Sequence, residues 1–465
     1  MPYPPNRSDE VPLSAAPLLT VVLAAGKGTR MKSAIPKVLH AVAGRSMLGH
    51  VLALAKASGS VRTAVVIGPG MDDVRKAALA EMPSAEVFVQ DNQLGTADAV
   101  KAALPAIVGH QGDVVVLYAD TPLTTPDIIA DLRSRLAAGD QVTVLGFEPG
   151  DPSGYGRLLT GSDGALIAIR EDKDATPSER EVRLCNSGVL GFRVDDLGGV
   201  LSRISNANAK GEYYLTDAVE IIRADGGRAG VVTCSAEAVL GVNSREQLAE
   251  AEAIWQRRRR SEAMRDGTTL IAPETVWFSH DTVVGRDVVI EPNVFFGPGV
   301  TVEDGAEILA NCYFVQARIG PGARVGPFAR LRPGADVGPD AHVGNFVEVK
   351  NATLGAGAKA NHLAYIGDGT VGAKANIGAG TIFCNYDGYF KHRTVIGEGA
   401  FIGSNSSLVA PVKVGSGAYV GSGSVITKDV SEGSLALERA SQEERPGWAE
   451  KFRQVMSRRK AAAKP

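Results

Sequence analysis

The sequence predicts an α/β domain with a mostly parallel sheet, followed in the same chain by a parallel β-helix of six-residue repeats. Three observations predict it. Apolar, β-branched runs alternate with helical patterns through the first half of the chain. Between Val284 and Ile426 an apolar residue returns at every sixth position, often followed by Gly. The 465 residues include 54 Gly but only 6% aromatic residues, which suits many tight turns. A chain this long needs two or three cores.

In chain order, residues 1–17 carry Pro2, Pro4, Pro5, Pro12 and Pro17 and read as a disordered leader. A buried strand at 18–23 ends in Ala24-Ala25-Gly26, and similar runs follow at 64–67, 87–89, 114–118 and 142–145. Helical patterns at 46–57 and 96–107 lie between them. The ligand site of such a sheet lies at the carboxyl ends of its strands. The first domain is expected over 18–243. Ser244 with Gln247 is a capping box opening a linker helix over 244–265. Its run Arg257-Arg258-Arg259-Arg260 points all round the helix and forms no single basic stripe.

The repeat domain is expected over 266–465. Val284, Ile290, Phe296, Val302 and Ile308 keep the period, as do Ile319, Val325, Leu331, Val337, Val343 and Val349. Leu354, Ala360 and Ile366, then Val371, Ile377 and Phe383, follow after slips. Ile396 to Ile426 closes the series. The slips, with the insertion at 384–395, read as places where functional loops leave the scaffold. Beyond Val430 the chain reads as a tail, and 458–465 as disordered.

A net charge of -3 argues against nucleic acid or an anionic membrane as partner. No apolar run reaches the length of a membrane span. Cys185, Cys234, Cys312 and Cys384 show no CxxC spacing and outline neither a disulfide framework nor a zinc site, so a reducing cytoplasmic setting is expected.

The segment 23–31, LAAGKGTRM, followed by Pro36-Lys37, lets backbone N–H groups approach a phosphate beside Arg30 and Lys37. It matches neither the P-loop nor the dinucleotide fingerprint. Taken alone, a tight turn with two solvated cations explains it equally well. In the repeat domain, His362 is accompanied by Arg332, Lys350, Asn376 and Lys391 on or beside neighbouring coils. Acyl transfer to an amine needs a base, which imidazole can be, and an oxyanion donor, which a backbone N–H of Gly378-Ala379-Gly380 could supply.

LAAGKGTRM with PKVLH, Gln90 with Gln93-Leu94-Gly95-Thr96, Tyr118-Ala119-Asp120, DPSGYGR at 151–157, Glu171 to Ala175, Asn186-Ser187-Gly188 and GEYYLTD at 211–217 form an ordered set. It resembles the sugar-1-phosphate nucleotidyltransferases, whose domain is Rossmann-like. With the repeats, the chain resembles the bifunctional N-acetylglucosamine-1-phosphate uridyltransferase/glucosamine-1-phosphate acetyltransferase family. The resemblance implies acetyl transfer from acetyl-CoA to glucosamine-1-phosphate, then uridylyl transfer from UTP to N-acetylglucosamine-1-phosphate. It implies Arg30 and Lys37 as catalytic cations and Mg²⁺ on Asp120 and Asn243. Leu23, Ala24, Ala25, Gly26, Lys37, Gln90, Gly95, Thr96, Tyr118, Ala119, Asp120, Gly156, Glu171, Asn186 and Asn243 would hold the nucleotide sugar. His362 would be the general base. Arg332, Lys350, Tyr365, Asn376 and Lys391 would hold glucosamine-1-phosphate; Ala379, Asn385, Tyr386, Ser404, Ser422 and Arg439 would hold acetyl-CoA. The resemblance further implies a left-handed β-helix, a homotrimer, and acetyltransferase sites shared among subunits.

Three positions depart from the pattern. Asp98 stands where QLGTxHA has His, Ala119 replaces Gly, and Asn405 replaces Asp. The alternative function is a single-site nucleotidyltransferase whose β-helix serves only for oligomerisation. That reading predicts no coordinated polar set on the coils. A sugar-nucleotide sensor would tolerate loss of Arg30, Lys37 or Asp120, and all three are present.

Overall fold

The computed structural model describes residues 16–26, 28–162 and 164–463. The leader expectation at 1–15 lies outside the described residues. Ala16 and Pro17 are bound to the sheet: Arg133 Nη2 donates to Ala16 O (2.6 Å) and Asp113 N to Pro17 O (2.9 Å). The chain divides into two compact units, 1–259 and 260–465.

The first unit contains strands β1 (Leu18–Leu23), β2 (Ala41–Val42), β3 (Arg45–Ser46), β4 (Ser60–Ile67), β5 (Glu86–Val89), β6 (Asp113–Tyr118), β7 (Val142–Phe147), β8 (Arg157–Thr160), β9 (Leu166–Arg170), β10 (Cys185–Phe192) and β11 (Ala229–Cys234). The main sheet runs in the order β11-β7-β10-β6-β1-β4-β5. All neighbours are parallel except β10, which is antiparallel to both β6 and β7. The central strands are buried on both faces, as β1 shows with six buried residues in six. Two apolar layers cover them, one holding Ala97, Val100 and Leu215 and the other Leu48, Leu52 and Ile129.

Helix α1 (Met47–Ala57) starts where Ser46 Oγ accepts from Gly49 N (3.0 Å), a cap worth about 1 kcal/mol. The single helix expected over 96–107 is two, α2 (Thr96–Ala102) and α3 (Leu104–Ile107). Pro105 supplies no N–H to the preceding turn, so the first helix stops and a second begins with Pro inside its first turn.

The helix over Arg245–Arg265 does not behave as a free linker. Ala251, Ile254, Leu248 and Trp255 pack with Val42, Met47, Leu123 and Val242 in the first unit's own core. The boundary between units falls inside the helix, after Arg259. Its arginines diverge as their spacing requires: Arg257 meets Glu237 (2.6 Å), Arg258 the Leu123 carbonyl (2.8 Å), and Arg260 the carbonyls of Glu274 and Val276.

The second unit is a stack of parallel coils with three strand ladders, consistent with a left-handed β-helix. One face runs through 289–290, 307–308, 324–325, 342–345, 359–362, 376–377 and 401–402. The second runs through 313–314, 330–331, 348–349, 365–366 and 382–384, and the third through 317–319, 335–337, 352–354 and 369–371. Of the apolar ladder positions, Ile290, Phe296, Ile308, Val325, Leu331, Leu354, Ile366 and Phe383 are completely buried. Phe314 belongs to the same interior series, so the first slip falls just before Ile319.

The slips do not project loops. Each shortens one corner to an unusual left-handed residue: Gln316, Asn351 and Asp368, with φ of 45–50°. The strands Glu348–Leu354 and Tyr365–Val371 run straight through these corners. Only the insertion at 384–395 stands out, exposing Tyr386, Tyr389 and Phe390. The expected disorder gives way at 458–462, because 448–462 forms a helix, rich in Ala, Lys and Arg, which are strong helix formers; 464–465 lie outside the described residues. No described helix is long and apolar enough to cross a membrane.

Candidate active sites

In the first unit, β1 pairs Leu23 with Val66 of β4 and Tyr118 of β6, and β4 pairs Ile67 with Val89 of β5. The segments leaving these ends therefore emerge together. A cavity of about 600 Å³ opens there, lined by Leu23, Ala24, Ala25, Gly26, Lys37, Gln90, Gly95, Thr96, Tyr118 and Asp120 from the expected set.

Lys37 reaches this cavity because Gly28 has no side chain. At φ +59° a Cβ on Gly28 would lie 2.4 Å from Lys37 Cβ. Lys37 Nζ donates to Asp120 Oδ2 (2.5 Å) and Asn243 Oδ1 (2.9 Å). Asn243 is held in turn: its N–H donates to Gln247 Oε1 (2.8 Å), while Gln247 N donates to Ser244 Oγ (3.2 Å). The capping box thus secures a site residue as well as a helix end. A carboxylate oxygen and an amide oxygen converge on one cation, donor chemistry that suits a hard divalent ion.

Gly156, Glu171 and Asn186 form a second group beside Tyr118. Asn186 N donates to Gly156 O (2.8 Å), and a Cβ on Gly156 would stand 3.4 Å from Glu171 Oε1. Gly188 lies against the Tyr118 ring, 2.8 Å from an added Cβ. Burial pushes the Glu171 carboxyl above its ordinary value, and burial likewise raises the Tyr118 phenol. Ala119 is placed differently from the other expected residues: its side chain is fully buried in the core, and its N–H donates to Leu23 O (3.0 Å). Arg30 is exposed on the turn Thr29–Met31 and makes no side-chain hydrogen bond or ion pair among the described residues.

The β-helix distributes its polar residues over two corners. Where the first face ends, Asn345 and His362 are register partners, and His362 Nδ1 lies 2.8 Å from Asn345 Oδ1. Ala379, Ser404 and Ser422 continue up that corner. Asn405 N donates to Ala379 O (2.7 Å), a Cβ on Gly403 would meet Ser422 N at 2.4 Å, and Arg439 Nη1 donates to Ser422 O (2.7 Å). Gly378 and Gly380 spend their N–H groups on Ile402 O and His362 O. Among the described residues the Ala379 N–H makes no such bond. Asn376 begins the next strand of the same face.

At the next corner, Arg332 pairs with Glu348 (2.7 Å) and Lys350 is the register partner of Gly367. A Cβ on Gly367 would lie 2.5 Å from Tyr365 Oη, so Gly is what admits the Tyr365 ring. Asn385 Nδ2 donates to Tyr365 Oη (3.4 Å) and Asp368 Oδ2 (2.5 Å). In the insertion, Lys391 Nζ stands 4.2 Å from the centre of the Tyr386 ring. Asn345 and Glu348 escaped the sequence reading. Each lies one shortened coil, 17 residues, before His362 and Tyr365 respectively, a stacking that the slips encode.

A family model for the MobA-like NTP transferase domain matches residues 20–180, and one for the bacterial transferase hexapeptide (six repeats) matches 393–428. The chain is 59% identical to the bifunctional protein GlmU of Azorhizobium caulinodans over 441 residues, 95% of this chain and 98% of the relative. It is 57% identical to that of Xanthobacter autotrophicus, covering 96% of this chain and all of the relative. With that of Sphingopyxis alaskensis it shares 54% over 96% of this chain and 98% of the relative. Identity above one half, over nearly the whole length of this chain and of each relative, shows that the chain belongs to the bifunctional GlmU family.

Proposed function

We propose that the chain makes UDP-N-acetylglucosamine at two sites. The β-helix transfers acetyl from acetyl-CoA to glucosamine-1-phosphate. The α/β unit then transfers uridylyl from UTP to N-acetylglucosamine-1-phosphate and releases pyrophosphate. The observation carrying this reading is the pair of separate constellations, Lys37–Asp120–Asn243 in one unit and Asn345–His362 in the other.

In the first unit a phosphate oxygen of the sugar attacks the α-phosphorus of UTP, a reaction governed by alignment and charge neutralisation. Asp120 and Asn243 would hold Mg²⁺, which neutralises triphosphate charge when bound. Two protein oxygens leave room for a metal that would be held in part by the substrate's own phosphate oxygens. Lys37 and exposed Arg30 supply the chain's own positive charge. Glu171 and Asn186 orient the sugar, beside Gly156.

In the second unit, a neutral His362 with its Nδ1–H on Asn345 Oδ1 leaves Nε2 to take the amine proton. Arg332, Lys350 and Lys391 hold the sugar phosphate, with Tyr365 and Asn376 on the sugar. The column Ala379, Ser404, Ser422 and Arg439 holds acetyl-CoA, with Asn385 and Tyr386 beside it. The base and the phosphate cations lie at different corners of one β-helix. That distribution supports a trimer in which neighbouring copies complete each site. All four cysteines are free, in keeping with a reducing cytoplasm. The single-site alternative gains no support from coils that carry so ordered a polar set. Mixing His362→Ala chains with Arg332→Ala chains tests the shared site: recovered acetyl transfer is expected, and none at all would contradict it.

A further inference from the structure

Asp98 is the departure from the family pattern that the reaction scheme leaves without a role. It lies in the first turn of α2, beside the cavity of the first unit. Its Oδ2 accepts from Gln90 Nε2 (2.8 Å) and from Leu94 N (3.1 Å). Gln90 Nε2 also donates to Gly95 O (3.0 Å). The Gly95 carbonyl is itself fixed. At φ +127° a Cβ on Gly95 would stand 2.5 Å from Tyr213 O, and Tyr213 N donates back to Leu94 O (2.8 Å).

Both partners of Nε2 are groups that accept hydrogen bonds and have none to give, so the Gln90 amide can face them only with its amino end. Its two N–H bonds are then spent. Gln90 is 5% exposed, lines the cavity and, among the described residues, keeps one unused polar group, the acceptor Oε1. An unpaired acceptor in the cavity wall favours a base that places an N–H donor directly opposite it. Uracil has one at N3, whereas cytosine presents an acceptor at that position. We infer that Asp98 is a specificity-determining positioning residue: by fixing the Gln90 amide it makes the pocket select a pyrimidine that carries an N–H at ring position N3. The inference rests on the uridylyl-transfer reading of this site.

The experiment measures kcat/KM for UTP and for CTP by pyrophosphate release in the full-length wild type, Asp98→Ala and Asp98→Asn. The melting temperature of the first unit is followed in parallel as a control for folding. The expected UTP/CTP ratio falls about tenfold in Asp98→Ala, because the amide loses one of its two orienting acceptors. It stays within about threefold of wild type in Asp98→Asn, whose amide oxygen can accept the same two bonds. A purely structural role would lower both nucleotides together and leave the ratio unmoved, and that result over a discriminating wild type overturns the inference alone. A wild type that uses UTP and CTP equally overturns the uridylyl reading, and the inference with it.

Discussion

The two units build their sites by opposite means. The α/β unit gathers residues as distant as Gly26, Gln90 and Asp120 around one cavity, because parallel strands deliver their carboxyl ends to a common edge, and Lys37 ties Asn243 to it. The β-helix never converges. Its coils repeat each residue's position one level higher, so polar groups form columns along corners: Asn345 under His362 at one, Arg332, Lys350 and Asn385 at another. A sheet edge can enclose a substrate within a single chain. A column needs a second surface opposite it.

Removing a member of each site should break this contrast at its strongest point. Asp120→Ala should cut uridylyl transfer by at least about 10²-fold, since it deletes a charged ligand at the phosphate centre. Titration of Mg²⁺ or Mn²⁺ into the protein with UTP should show weaker ion binding, and unchanged binding would contradict the assignment. The mixing of His362→Ala with Arg332→Ala chains comes next. In randomly mixed trimers, some interfaces pair a wild-type His362 with a wild-type Arg332. About a quarter of wild-type acetyl transfer is then expected from equal amounts, against almost none for either variant alone.

The smallest effect sharpens the electrostatic difference. In the first unit burial lifts Asp217 from 3.8 to about 6, and like charge from Glu220 adds to it. The folded state then binds that proton more tightly than the unfolded chain. The stability it contributes is complete below about pH 4 and is lost as pH rises through 6. Asp217→Asn should therefore raise the melting temperature of the first unit by a few degrees at pH 8 and leave it unchanged at pH 4. In the β-helix insertion the opposite holds. Backbone N–H groups of Phe390 and Tyr389, with His392, hold Asp387 well below the usual carboxylate range.

Local periodicity made most of the fold legible. The buried strand at 18–23 and the interior ladder from Ile290 onward are where the sequence places them. The antiparallel strand β10 was not visible, because Asn186-Ser187-Gly188 interrupts it with a bulge and masks its apolar run. The slips were visible but their meaning was not: a five-residue corner and a projecting loop look alike until Gln316, Asn351 and Asp368 are seen turning the chain. Within the sites, residue types and order identified Lys37, Asp120 and His362. Hydrogen-bond partners such as Asn345 and Glu348 depend on the stacking of shortened coils, which no motif records.

The central claim is that the two chemistries are separable. Its most direct test follows free thiol and pyrophosphate independently in wild type, His362→Ala and Asp120→Ala. Glucosamine-1-phosphate with acetyl-CoA feeds one reaction; N-acetylglucosamine-1-phosphate with UTP and Mg²⁺ feeds the other. His362→Ala should lose about 10²- to 10⁴-fold in thiol release and keep pyrophosphate release at the wild-type rate. Asp120→Ala should show the reverse. If either substitution removed both activities from a protein that remains folded, the two-site account would be contradicted.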